Sequence, residues 1–274
     1  MNTVHSFRPR VWLILATLWI LASPSWGEVA DFDQFYPPYD EIVDYLEDID
    51  SPVVATSVIG ASDESTPRDL VAIKISDNPH LEEDEFGFLF VGVIHGNEAI
   101  GIQVVLQLIE DLVDGYASDP DIQDWIDAYE IWFIPVINPY GYDSNLRKNG
   151  PDTGDVNTSG VDLNRNFDFR WIEGGDAAPN SNTFRGPYAA SEPEVQALSD
   201  FVIDQRPVFG VTFHSGRGGT IGEIMYPWNR YDSSNPHPDP PDRERLRAMA
   251  GVIADAVEAH RGYFDRPTLE DAGA

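Results

Sequence analysis

The chain has 274 residues and no cysteine, so it can bury the core of one large domain or two small ones but forms no disulfide and offers no thiolate to a metal. Its 17 basic and 47 acidic side chains give a net charge of −30, and such a surface repels nucleic acids and anionic membranes, which we exclude as partners. The acidity fits two settings that the sequence leaves open, a habitat of high salt or an ordinary acidic secreted enzyme.

The first 27 residues have the composition of a secretory signal. Arg8 and Arg10 lie near the N-terminus. The apolar run that follows them, at residues 11–22, is too short to span a bilayer comfortably. Small residues then precede a predicted cleavage after Gly27. We therefore predict a signal peptide over 1–27 and a secreted or periplasmic protein of residues 28–274 that leaves the membrane after cleavage. An uncleaved membrane anchor is the alternative.

Apolar patterns predict alternating helices and strands in the first half of the mature chain. Helices are predicted at 42–46 and 102–113, and strands at 53–59, 70–75, 86–94 and 131–137. The run at 86–94 is almost continuously apolar, as expected for a strand that is covered on both faces. Residues 139–190 are instead rich in Gly, Asn, Asp and Pro, which indicates a functional loop region.

The last third of the chain returns to the alternating pattern. Ser191 and Glu194 have the spacing of a capping box, which predicts a helix that begins there. Strands are predicted at 208–213 and 221–226, and a final helix at 242–262. Strands that alternate with helices indicate an α/β fold with a mixed, largely parallel central sheet and helices on both faces. We find no internal repeat and no linker, so we predict one domain over 28–274.

Two histidines each follow an apolar strand, His95 after the run at 86–94 and His214 after the run at 208–213. In open α/β sheets ligands gather at the carboxyl ends of strands, so these imidazoles can meet. Glu98 lies one helical turn after His95 and can point at the same ion. Two imidazoles and a carboxylate are the ligands of a catalytic zinc with an open position. We predict one Zn²⁺ at His95, Glu98 and His214; unrelated polar loop residues are the alternative.

Arg147, Asn164 and Arg165 lie in the loop region between the two zinc motifs. Arginine suits a carboxylate because it can donate two parallel hydrogen bonds to it. In isolation these arginines would merely neutralise an acidic surface. Beside a zinc site, we predict that the three residues bind an anionic group of the substrate.

Three aspartates of the same region, Asp152, Asp155 and Asp162, raise a second metal hypothesis. Carboxylates in a loop can bind calcium, but solvation of the loop is the simpler explanation of acidic residues. We favour loop solvation over a calcium site.

At these motifs the sequence resembles the zinc metallocarboxypeptidases, over about residues 35–262. Tyr140 departs from the pattern, since the family usually has Asp at that place. The likeness is carried by His95-Gly96-Asn97-Glu98, Asn138-Pro139-Tyr140-Gly141-Tyr142, Arg147-Lys148-Asn149, residues 161–167, residues 191–197, Phe213-His214-Ser215 and Tyr226-Pro227-Trp228.

The resemblance implies a hydrolase that works through metal-activated water. It implies zinc at the three predicted ligands, with Arg147 as a catalytic residue that stabilises the developing oxyanion. It further implies that Asn164 and Arg165 bind the free C-terminal carboxylate of the substrate, which would make the protein an exopeptidase. We therefore predict a monomeric zinc carboxypeptidase that acts on the C-termini of peptides or proteins.

The segments in which the family carries its general base and its specificity pocket would come after residue 274. We therefore expect a catalytic domain that is incomplete at its C-terminus. Glu270 faintly resembles the family's catalytic Glu, but Pro267 precedes it where an apolar strand is required. Glu223 is the other carboxylate we considered, and we assign it a structural role.

Two other functions stay open. The first is a catalytically impaired fragment or pseudoenzyme that binds zinc and peptide C-termini, which the missing base favours. The second is a related zinc amidohydrolase that acts on acylated amino acids or cell-wall peptides. Asn164 and Arg165 argue for a substrate with a free α-carboxylate.

Overall fold

The computed structural model describes residues 36–63, 65–215, 223–229, 242–261 and 268–273. They divide into two compact units, a larger one of the described residues up to 215 and a smaller one of those from 223 onward. The predicted signal peptide lies outside the described residues. No helix in the described ranges has the length and apolar character that crossing a membrane requires.

The larger unit is built on a five-stranded sheet with the order β1-β2-β4-β3-β5. Its strands are β1 (Val54–Ala61), β2 (Asp69–Ile75), β3 (Phe86–Val93), β4 (Tyr129–Val136) and β5 (Phe209–Thr212). Its helices are α1 (Tyr39–Glu47), α2 (Ile100–Gly115), α3 (Pro120–Ile126), α4 (Pro139–Asp143) and α5 (Pro193–Gln205), with 3₁₀ turns at Leu163–Arg165 and Trp171–Glu173.

Strand directions make this sheet mixed, as predicted. β3 pairs in parallel with both β4 and β5. β2 pairs antiparallel with β1, which directly precedes it in the chain, and it also pairs antiparallel with β4. The parallel half therefore contains β4, β3 and β5, and the carboxyl ends of those three strands lie at one edge of the sheet.

The core lies on both faces of β3, whose residues are buried from the second onward. Successive side chains of a strand point to opposite faces, so unbroken burial means that both faces are covered. Leu89 and Val91 belong to a cluster that includes Leu198 of α5. Phe90, on the opposite face, stacks on Phe133 with ring centroids 5.2 Å apart. This two-sided packing fixes the strand that leads to His95.

β5 differs from the other parallel strands. It has four residues, it lies at the end of the strand order, and its side chains alternate between half-buried and exposed. Its backbone continues to pair past the strand, since Phe213 N donates to Val91 O at 2.9 Å. Among the described strands, β5 therefore forms an edge that is tied to the core through β3.

Helix α5 begins without the predicted capping box. Glu192 is its N-cap residue and makes no side-chain cap bond, and Pro193 opens the helix. Ser191 Oγ donates instead to Glu192 Oε1 at 2.6 Å, and Glu194 Oε1 accepts a hydrogen bond from Asp63 N at 2.9 Å. The helix was predicted in the right place, but the capping box was wrong, because Ser191 Oγ bonds to Glu192 and Asn166 and the Glu194 carboxylate bonds to Asp63 N.

The smaller unit consists of β6 (Glu223–Asn229), α6 (Arg243–Arg261) and β7 (Thr268–Gly273). The two strands pair in parallel, and α6 packs against both of them. A helix between two parallel strands is the usual crossover connection. The sequence pattern predicted β6 and α6 but missed β7.

Lys74 of β2 and Glu130 of β4 form a buried ion pair in the larger unit. Lys74 Nζ lies 2.5 Å from Glu130 Oε1, and the two side chains are only 3% and 6% exposed. Lys74 Nζ also donates to Leu81 O at 2.5 Å, and the carboxylate accepts from Glu83 N at 3.2 Å. The pair ties two neighbouring strands together at a site that water does not reach.

Lys74→Ala is expected to lower the free energy of unfolding by about 3–5 kcal/mol, because Glu130 would keep a buried charge without its partner. The double variant Lys74→Met/Glu130→Leu should lose far less, since both buried charges disappear together. Urea unfolding of the full chain measures both. Arg170→Ala, which breaks the more exposed Arg170–Glu173 pair, is the control and should cost under about 1 kcal/mol. Equal losses for Lys74→Ala and Arg170→Ala would contradict this account.

Candidate metal centre and active site

His95 and His214 meet because the strands that carry them are neighbours. β3 and β5 run in parallel, so both chains leave the sheet at the same edge. Each histidine lies two residues beyond the end of its strand. Glu98 completes the group through a tight turn in which its backbone N donates to His95 O at 3.0 Å. The fold thus brings the three predicted metal ligands to one place.

Their side-chain atoms converge closely. His214 Nδ1 lies 2.9 Å from Glu98 Oε2 and 3.2 Å from His95 Nδ1. His95 Nδ1 lies 3.0 Å from Glu98 Oε1. Two imidazole nitrogens and a carboxylate this close together favour a cation between them, and they are the donors that catalytic zinc prefers. The residues therefore fit one zinc ion in chemistry and spacing.

Asp162 orients His95 for this purpose. Its Oδ1 lies 2.9 Å from His95 Nε2, and the aspartate is fully buried. The bond favours the tautomer with the proton on Nε2, which leaves the Nδ1 lone pair for a metal. Sequence reasoning missed this role and placed Asp162 in a solvated loop. One general rule could have pointed to this role. A histidine that binds a metal through one ring nitrogen needs a hydrogen-bond acceptor at the other.

Local electrostatics keep both carboxylates ionised. Burial acts to raise the pKa of Glu98, but its contacts with the His214 and His95 rings outweigh burial and hold that pKa well below its usual range. Burial also acts to raise the pKa of Asp162, and the bond to His95 with the charge of Arg147 brings it below normal. For His95, burial lowers the pKa but the bonds to Asp162 and Glu98 raise it by more. The site is strongly suited to positive charge.

Arg147 lies against this group, and its role toward the oxyanion stays a prediction. Its Nη1 is 3.1 Å from Glu98 Oε1, while Nε and Nη2 donate to Asp162 Oδ2 at 3.0 and 2.8 Å. A quarter of the side chain is exposed. Asp162 therefore anchors Arg147 by accepting hydrogen bonds from two of its nitrogens. The third nitrogen, Nη1, lies beside the candidate metal ligands.

Asn164 and Arg165 follow Asp162 in a 3₁₀ turn, where both are half-buried. Arg165 Nη1 donates to Asn164 O at 3.1 Å. Within the described ranges its guanidinium faces no carboxylate, although the chain carries 47 acidic residues. Among the described residues, no hydrogen bond or ion pair joins these two side chains to the three metal-ligand candidates, so their substrate role stays a prediction.

The calcium hypothesis finds no support, because its three aspartates do not converge. Asp152 pairs with Lys148, and Asp155 accepts from Asn157 N at 2.8 Å. Asp162 is committed to the metal centre. A second acidic group does converge among the described residues, but its members are exposed or half-buried and include no imidazole: Asp77, Glu83 and Glu85.

The two carboxylates considered as a general base lie in the smaller unit. Glu223 begins β6, and Glu270 lies in β7, where its backbone pairs with Met225. The side chains of Glu223 and Glu270 lie outside the described residues. The general base therefore stays unassigned.

Comparison with known proteins agrees with the donor set. The sequence matches the zinc carboxypeptidase family over residues 39–271. The chain belongs to this family. Family membership implies zinc as the metal and metallopeptidase chemistry as the activity of the fold.

Individual relatives show how far the likeness extends. The chain is 33% identical over 156 residues to a zinc carboxypeptidase of Saccharothrix mutabilis subsp. capreolus, covering 52% of this chain and 35% of that protein. It is 31% identical over 160 residues to carboxypeptidase D of Homo sapiens, covering 58% of this chain and 10% of that protein. The chain thus spans about a third of the first relative and a tenth of the second.

Solved structures share the fold. Carboxypeptidase A from Helicoverpa armigera superposes with a TM-score of 0.74 at 24% identity, covering 96% of this chain and 64% of that chain. The predicted α/β fold of the carboxypeptidase type is thereby confirmed.

Zinc affinity should fall further when a metal ligand is replaced than when a residue that orients a ligand is replaced. His214→Ala is expected to abolish stoichiometric zinc binding, because one of three donors is lost. Asp162→Asn should weaken zinc affinity by about 10- to 100-fold, since the amide holds His95 less well. Competition with a chromogenic chelator measures both, and Asp155→Asn in the neighbouring loop is the matched control. One tightly bound zinc per chain in His214→Ala would refute the ligand assignment.

Proposed function

We propose that this chain is a secreted zinc carboxypeptidase that removes C-terminal amino acids from peptides. The observation that carries the proposal is the convergence of His95, Glu98 and His214 at the edge where β3 and β5 end. Membership of the zinc carboxypeptidase family supports the same chemistry. Because the chain spans only part of its relatives, its activity, its substrates and its monomeric state are proposals.

The mechanism follows from what each side chain can hold. Zinc bound by His95, Glu98 and His214 would supply an activated water and polarise the scissile carbonyl. Asp162 keeps the proton of His95 on Nε2, so that Nδ1 stays directed at the centre. Arg147 offers Nη1 to the oxyanion that develops on the carbonyl oxygen, while its other donors stay on Asp162. Because Asp162 already holds His95 and Arg147 in place, these side chains need to rearrange little during the reaction.

Substrate selection would rest on Asn164 and Arg165. A guanidinium that faces no carboxylate in the described structure can bind one from a ligand, and the side-chain amide of Asn164, the preceding residue, could add a donor. The α-carboxylate of a peptide is the anionic group that fits an exopeptidase. This arrangement favours free C-termini over amidated or internal bonds.

A second candidate is a binder of zinc and peptide C-termini that does not catalyse hydrolysis. The observation that favours it is the engagement of both carboxylates at the centre. Glu98 contacts two imidazoles and Arg147, and Asp162 holds His95 and Arg147. Within the described residues neither has a spare oxygen to accept a proton from water.

An assay on the purified, zinc-loaded chain separates these candidates. Peptides with varied C-terminal residues are followed by mass spectrometry, with and without a chelator. We expect stepwise loss of C-terminal residues that the chelator abolishes. A folded, zinc-loaded protein that cleaves nothing would favour the non-catalytic binder. Cleavage restricted to acylated amino acids or cell-wall peptides would favour the amidohydrolase instead.

Arg165→Ala is expected to weaken binding of peptides with a free C-terminus by about 1.5–3 kcal/mol, because a charge-assisted hydrogen-bond pair is lost. Binding of the same peptides with an amidated C-terminus should change little. Isothermal titration with a peptide whose last bond is reduced, and therefore not cleaved, measures both. Arg170→Ala alters a half-buried arginine of the same loop region, paired with Glu173, and serves as the control. Equal losses for free and amidated peptides would refute the carboxylate role of Arg165.

A further inference from the structure

The start of α5 carries a buried polar cluster that the proposed chemistry does not use. We call it the α5 hub. Its members are Asn149, Asn166, Glu192 and Glu194, which are 4%, 0%, 7% and 0% exposed. Burying four polar side chains is costly unless their hydrogen bonds are made, so the pattern of those bonds indicates what the cluster holds in place.

Glu192 lies at the centre of the hub. Its Oε2 accepts from Asn149 Nδ2 at 2.8 Å, and its Oε1 accepts from Ser191 Oγ at 2.6 Å. Its backbone N donates to Asn166 Oδ1 at 3.1 Å. One residue therefore joins α5 to two separate segments of the loop region.

Those two segments carry the proposed substrate-binding residues. Asn149 lies two residues after Arg147, and Asn166 directly follows Arg165. Asn149 also pairs with Val161, since its N donates to Val161 O at 3.1 Å and its Oδ1 accepts from Val161 N at 2.8 Å. Both segments are thus fixed to each other and to α5 within two residues of the side chains that would contact substrate.

Glu194 connects the hub to the segment that follows β1. Its Oε2 accepts from Asn149 Nδ2 at 3.3 Å, and its Oε1 accepts from Asp63 N at 2.9 Å. Burial raises the pKa of Glu194 to about 7, and burial also raises the pKa of Glu192. Near neutral pH the pair therefore tends to retain a proton, which limits repulsion between two carboxylates that share one amide donor.

We propose that Glu192 and Glu194 are positioning residues that hold the Arg147 segment and the Asn164–Arg165 segment at the spacing needed to bind a peptide's terminal carboxylate. This role rests on the proposed function, and it concerns the residues that set the geometry of the proposed substrate site. Glu192 acts through Asn149 and Asn166 and touches no substrate itself.

The test uses the full, zinc-loaded chain and one peptide with a reduced, non-cleavable last bond, prepared with a free or an amidated C-terminus. Glu192→Ala is expected to weaken binding of the free form by about tenfold or more, the scale of a lost buried hydrogen-bond pair, and of the amidated form by less than about twofold. Zinc content should stay at one ion per chain. Glu192→Gln should restore most of the affinity, because its amide oxygen can still accept from Asn149.

Glu130→Gln is the matched control, since Glu130 is an equally buried carboxylate that pairs with Lys74 in the sheet. It should reduce stability without changing the preference for the free C-terminus. If Glu192→Ala does not fold, Asn149→Ala removes the same link from the loop side and should give the same selective loss.

Two results would overturn the positioning role while leaving the proposed function intact. One is a Glu192→Ala variant that keeps the wild-type preference, and the other is equal weakening of both peptide forms. A wild-type chain that does not distinguish the two peptides would overturn the proposed function, and the positioning role with it. Selective loss that Glu192→Gln reverses would support both.

Discussion

The site depends on one buried carboxylate. Asp162 has no exposed surface, and it accepts hydrogen bonds from an imidazole on one oxygen and from a guanidinium on the other. An ionised group so deeply buried is stable only while both partners stay in place. Because one partner is His95 and the other is Arg147, the same requirement fixes the candidate metal ligand and the proposed oxyanion donor relative to each other. The 3₁₀ turn that follows Asp162 then sets where Asn164 and Arg165 lie.

The acidic composition gives cations in this chain particular importance. With 17 basic side chains against 47 acidic ones, only a minority of the carboxylates can each have a basic partner of their own. Several basic side chains of the described interior nevertheless form ion pairs or hydrogen bonds that hold parts of the structure together. Lys74 neutralises Glu130 inside the sheet, Lys148 pairs with Asp152 and donates to two loop carbonyls, and Arg147 holds the metal centre. Arg165 is different, because it meets no carboxylate in the described structure.

The convergence of the three candidate metal ligands could be predicted from the sequence because its signals are local. An apolar strand that ends at a histidine is visible in a single window, and His95 and His214 both show it. The role of Asp162 was not visible, because its bond to His95 joins residues 67 positions apart. The capping box failed for a related reason. Ser191 and Glu194 have the right local spacing, but Glu194 takes partners at Asp63 and Asn149, far away in the chain.

Short elements were missed for a different reason. Helix α3 has seven residues, too few to show a clear periodicity, although Asp119 at its N-cap and Pro120 at its first position are recognised start signals. Strand β7 lies in a segment whose composition is not typical of a strand. The large, strongly patterned elements of the sheet were predicted within a few residues of their bounds. Long-range polar contacts and short elements are the part that a single sequence does not show.

The edge position of β5 gives the metal a mechanical consequence. This four-residue strand pairs with β3 alone among the described strands, yet it leads to the third ligand, His214. An ion bound by His95 and His214 would act as a cross-link between the edge strand and the central strand, much as a covalent bridge does. Amide protons of β5 would then exchange with solvent more slowly in the zinc-bound protein than in the apoprotein. Binding the catalytic ion and securing the rim of the sheet would be a single event.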